Sequence, residues 1–98
     1  APQPPVAAAP DPRERLLVEK ARRAVAAREA PSAIELLDTH QAEFPDGKLR
    51  EEREALMVQA LALVGNHLAA AARARAFRER YPTSIFLDLV NDSTREPP

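Results

Sequence analysis

Between residues 13 and 90 apolar side chains recur every three or four positions, the spacing that gathers them on one face of a helix. Asp11-Pro12-Arg13-Glu14 predicts the first start, with an aspartate N-cap, proline at the first helical position and Glu14 reaching back from the third. Leu17, Ala21, Ala24 and Val25 then define the inward stripe of a helix running to about Arg28. Pro31-Ser32 opens a second helix, whose stripe is Ala33 or Ile34, Leu37, Gln41 and Phe44, and Pro45-Asp46-Gly47 stops it. A third spans about Lys48–Val64. From Leu56 onward it is apolar at every position but Gln59, which predicts a central helix with neighbours on both sides. Gly65-Asn66 provides a left-handed stop, so that Gly47 and Gly65 are both read as helix stops. A fourth helix covers His67–Arg80, with Ala70, Ala74, Phe77 and Tyr81 inward, and Pro82-Thr83-Ser84 breaks it before a short fifth helix over Ile85–Val90.

The few residues between successive helices force antiparallel pairing. Residues 1–11 hold four prolines without apolar periodicity and are read as an extended linker. Residues 12–90 form the folded domain, and the polar, proline-ended 91–98 is read as a disordered tail. Alanine accounts for 20 residues and aromatics for only four, so close helix approach and helix propensity must replace bulky packing.

Shifted by 37 residues, the chain aligns with itself without a gap: Phe44-Pro45 on Tyr81-Pro82, Leu37 on Ala74, Ala33 on Ala70, Ala24 on Leu61, Ala21 on Val58. A helical hairpin therefore occurs twice. The pattern resembles the tetratricopeptide repeat, with Ala33, Leu37 and Pro45 in one unit and Ala70, Ala74 and Pro82 in the other at that family's signature positions. Leu17 and Glu54 replace its early tryptophan, Ala24 and Leu61 its tyrosine. The endings Phe44-Pro45-Asp46-Gly47 and Tyr81-Pro82-Thr83-Ser84 resemble those of bacterial cell-envelope repeat proteins. The resemblance implies an all-α fold of two tetratricopeptide-like hairpins stacked with right-handed superhelical twist and closed by a short C-terminal helix, which caps the fourth helix. It implies a non-catalytic adaptor that binds a protein or peptide, one domain of a larger bacterial envelope or membrane-anchored protein, in the periplasm or cell envelope, with the cytoplasm as the alternative. Beginning at Ala1 fits a mature or excised piece. The alternative is a homodimerisation domain, pairing through the fourth helix or residues 85–90.

In such a module the first helix of each pair forms the binding face, which selects Arg22, Arg28, Arg53 and Gln59 as protein-contact residues. A net charge of −1 argues against general nucleic-acid or membrane-surface binding, and an Ala-rich fourth helix without Asn or Gln does not suit base reading. The absence of cysteine removes thiolate chemistry, and no apolar run is long enough for membrane insertion. No catalytic residues, cofactor or metal are expected. His40 and His67 lack a recognisable local catalytic partner, and His40 with Glu43, three apart, is too sparse a ligand set. Arg73, Arg75, Arg78 and Arg80 are read as a solvated face, and the alanines at 69–72, 74 and 76 as packing within the domain.

Overall fold

The computed structural model describes residues 9–95. Every regular element among them is a helix: α1 (Pro12–Ala26), α2 (Ala30–Glu43), α3 (Arg50–Leu63), α4 (His67–Arg80) and α5 (Leu87–Ser93). None is long and apolar enough to cross a membrane. Most of the expected linker, residues 1–8, and the last three tail positions lie outside the described residues. The tail reading for the rest is corrected, because α5 continues to Ser93, with Ser93 and Thr94 hydroxyls bonded back to the carbonyls of Leu89 and Val90.

The 37-residue repeat extends to individual backbone bonds. α1 ends in a Schellman motif, Glu29 N to Ala24 O at 2.8 Å and Arg28 N to Val25 O at 3.0 Å. α3 ends in the same one, Asn66 N to Leu61 O at 2.9 Å and Gly65 N to Ala62 O at 3.0 Å. This turn needs a left-handed residue, and Gly65 takes it at φ 82° while Arg28 adopts φ 59° with a side chain in place. After the second helix of each unit, Gly47 N to Phe44 O and Arg50 N to Gly47 O recur as Ser84 N to Tyr81 O and Leu87 N to Ser84 O. α5 therefore begins at the position of α3 one repeat later. Where α3 continues with Ala55, Leu56, Met57 and Val58, the C-terminal segment reads Asp92, Ser93, Thr94 and Arg95, too polar to continue a buried helix.

Two apolar clusters share α3 as their common wall. Val18, Ala21, Ala24, Ala33, Leu37, Leu56, Met57 and Ala60 join α1, α2 and α3, whereas Ala55, Val58, Ala74, Phe77 and Val90 join α3, α4 and α5. The central position expected for the third helix is observed, but its last turn opens to solvent at Leu63 and Val64. In α1 the buried stripe is Glu14, Val18, Ala21 and Ala24, one position round from Leu17. In α2 it is Ala30, Ala33, Leu37 and His40, while Gln41 is exposed. α5 packs mainly on α3 and touches α4 less, so it caps α3 rather than the outer side of α4. Val90 anchors it, and Ile85, expected inside the fifth helix, lies before it and is 87% exposed.

Candidate functional site

A buried polar network joins α1 to its neighbours on one side of α3, and an open groove runs along the first helices on the other. The network starts at the N-terminus of α1. Asp11 caps the helix as expected, accepting from Arg13 N at 2.8 Å, but Glu14 does not reach back to the cap. Its side chain turns inward, and Oε1 accepts from Leu49 N at 2.8 Å and lies 3.1 Å from His40 Nε2. On the other side of the ring Arg53 Nη1 is 3.2 Å from His40 Nδ1 and also donates to Phe44 O at 3.2 Å. A guanidinium can only donate, so Nδ1 must be the acceptor and the proton sits on Nε2, donated to Glu14. Arg53 Nη2 then meets Glu54 Oε1 at 3.0 Å, and Glu54 Oε2 receives Arg73 Nη1 at 3.1 Å. One chain of contacts thus links α1, α2, α3 and α4. Its members would be costly to bury singly, and mutual pairing makes their burial tolerable. Arg53 Nε is the donor left enclosed without a partner.

The loop closing this network depends on Gly47. A Cβ there would overlap Glu14 Oε1, lie 2.7 Å from its Cδ and 3.1 Å from Phe44 Cβ. α2 ends just before it, as expected of a helix stop, but its φ is not positive, so what this glycine contributes is the missing Cβ that admits the carboxylate. The second unit solves the same closure differently. Glu51, the counterpart of Glu14, accepts from Ser84 Oγ at 2.9 Å, and that hydroxyl accepts from Phe86 N at 3.0 Å, so a serine side chain fills the space that Gly47 leaves to Glu14. His40 and Arg53 become Phe77 and Val90, and the polar site becomes an apolar one.

The structure thus corrects the isolation assigned to His40. The ring is wholly enclosed and both nitrogens are engaged, which leaves none for proton exchange with a substrate or for joining exposed Glu43 at a metal. Pairing from 26 positions away was invisible in local motifs. The repeat itself carried the signal, since the 37-residue shift sets His40 against Phe77 and Arg53 against Val90, polar residues at apolar stations.

The groove lies on the other side of α3. Arg22, Val25 and Ala26 of α1 form one wall and Phe86 with Leu89 the opposite wall. Glu52, Ala55, Leu56 and Gln59 of α3 make the floor, enclosing about 300 Å3. It continues past Gln59 into a second hollow of about 420 Å3 that reaches Arg28, Leu63, His67 and Ser93. Three of the four residues selected as contacts, Arg22, Arg28 and Gln59, therefore line one surface. Arg53 does not: at 3% exposure it belongs to the buried network, because it projects from α3 toward α2 and not into the groove. Arg22 is held across the groove by Glu52, Nη2 to Oε2 at 2.6 Å.

The four arginines of α4 do not form one uniform solvated face. Arg73 and Arg80, two turns apart, line a recess with Arg50 of α3, whereas Arg75 lies elsewhere and Arg78 donates to Asn91 at 2.9 Å. Of the alanines, Ala70 and Ala74 pack inside the domain, while Ala71, Ala72 and Ala76 are exposed. No family model, curated protein or solved structure gives a significant match to the chain.

Proposed function

We propose that this domain is a non-catalytic protein-binding module of tetratricopeptide-like build, and that an extended or helical peptide occupies the groove of α1, α3 and α5. The observation that carries the proposal is the groove itself: a largely apolar surface supplied by the first helix of successive units and left uncovered by the described residues. Its apolar lining suits apolar anchors from a partner, and Arg22, Glu52 and Gln59 are the polar groups that set register. Arg28 and His67 at the far end favour an acidic residue at one end of the peptide. Membership of a larger envelope protein is proposed on the resemblance of the two loop endings alone.

The test uses Gln59→Trp, which fills the middle of the groove, beside Arg75→Glu as an exposed control. A partner recovered by the wild-type chain and by Arg75→Glu but lost to Gln59→Trp supports the groove. Equal recovery by all three removes it. A second reading, homodimerisation, draws on Leu68 and Ile85, which are 88% and 87% exposed. Light scattering decides that case: a dimer dissociated by Ile85→Glu favours it, and a concentration-independent monomer excludes it.

A further inference from the structure

We infer that the recess between α3 and α4 is an anion site, distinct from the groove, built to hold a doubly charged phosphate group. The residues lining it include Arg50 and Glu54 of α3, Arg73, Phe77 and Arg80 of α4, and Tyr81, around about 260 Å3. It faces away from the groove: at 100° per residue, Arg50 and Glu54 lie on the opposite side of α3 from Glu52, Leu56 and Gln59.

Charge selects the ligand. Three guanidiniums against the one carboxylate of Glu54 leave an excess of two positive charges, the charge of a phosphate dianion. Glu54 is already divided between Arg53 and Arg73, so it has little capacity left for Arg50 or Arg80. Arg50 contacts Asp46 at 3.2 Å, but Asp46 is 91% exposed and such a pair is easily given up. Arg50 Nε is enclosed and has no partner among the described residues, so this guanidinium is incompletely satisfied there. Arg80 Nε donates to Tyr81 Oη at 3.2 Å, which leaves the phenolic proton free to be donated onward. Guanidinium forks with a hydroxyl donor are the groups that recognise phosphate oxygens.

The first unit supplies an internal comparison. At the corresponding stations it has Leu17 for Glu54, Leu36 for Arg73, Glu43 for Arg80 and Phe44 for Tyr81. Only Arg13 remains, and it lies over the Phe44 ring at 5.7 Å. One hairpin therefore carries the recess as an apolar and acidic surface and the other as a basic one, although α2 and α4 and the turns before and after them match.

The experiment titrates inorganic phosphate into the whole chain at constant ionic strength, following Arg Nε–H and Tyr81 ring signals by NMR. Saturable shifts at Arg50, Arg73, Arg80 and Tyr81, with acetate at least tenfold weaker, are expected. Arg80→Glu copies the first unit and should weaken binding at least tenfold, whereas Arg75→Glu, which changes charge equally, should weaken it less than threefold. Circular dichroism confirms that both variants fold. Glycerol phosphate distinguishes the source: tighter binding than inorganic phosphate marks a monoester, and weaker binding marks the free ion. Unsaturable shifts, equal losses in the two variants, or acetate binding as tightly as phosphate would each overturn the assignment.

Discussion

Replacing Gly47 with alanine should destabilise the domain, against the usual effect of that change in a loop. At a non-positive φ, glycine to alanine ordinarily stabilises a protein by about 0.4–1 kcal/mol by narrowing the unfolded ensemble. Here the new methyl group overlaps Glu14 Oε1. Moving the carboxylate end aside relieves the overlap easily, so the steric term is not the main cost. The cost lies in what Glu14 abandons: Leu49 N at 2.8 Å and the His40 Nε2 proton at 3.1 Å both lose their acceptor. One buried and one part-buried donor at about 1–3 kcal/mol each, less the loop gain, give a net loss of about 1–5 kcal/mol, centred near about 3 kcal/mol. Urea denaturation followed by helical circular dichroism reads this directly, and the melting temperature should fall by about 10–20 °C. In a Glu14→Ala background only the 3.1 Å approach to Phe44 Cβ remains, so the added Gly47→Ala should cost at least about 1 kcal/mol less than it does in the wild type. A Gly47→Ala protein as stable as the wild type, or a double-mutant cycle without coupling, would refute the assignment of this glycine to the carboxylate.

Other outcomes follow from the same contacts. Arg28→Gly removes a side chain from a left-handed position at φ 59° and should raise stability by about 1 kcal/mol in the same urea assay. Arg53→Ala strands the His40 acceptor and Phe44 O, leaving Glu54 to Arg73 alone, and should cost about 3 kcal/mol. The pair His40→Phe with Arg53→Val, copying Phe77 and Val90, should cost at least 1 kcal/mol less than the sum of its single changes. Deleting residues 84–98 uncovers the α3 surface packed by Val90 and should lower the melting temperature by more than about 10 °C. An unchanged transition would end the capping role of α5.

Much of this architecture was legible in the residues. The stops at Gly65 and Pro82 and the uninterrupted pattern between them placed α4 to the residue, because local punctuation and apolar period agreed. The 37-residue alignment placed the two hairpins. What periodicity missed was the exact column of each stripe in α1 and α2, since the buried faces include Glu14 and His40, which a polar-or-apolar reading assigns outward. Arg53 was sent to the binding face for the same reason: membership of a first helix says nothing about which side of it a residue takes. Arg22, Arg28 and Gln59 were selected by the same criterion and line the groove because Arg22 and Gln59 take the facing sides of α1 and α3 and Arg28 lies in the turn after α1. The recess of Arg50, Arg73 and Arg80 escaped notice because its third guanidinium comes from another helix.

The matching of α5 to the start of α3 makes Phe86 a natural splice point. Inserting a second copy of residues 50–86 there would lengthen the stack by one hairpin while keeping the terminal segment unchanged. The graft carries one condition. The inserted helix would bring arginine to the station held by Val90, beside Phe77 and a serine-closed loop that offers no histidine to receive it. Replacing that arginine of the inserted copy with valine is therefore the one change the extension requires, because beside Phe77 only an apolar side chain finds a place.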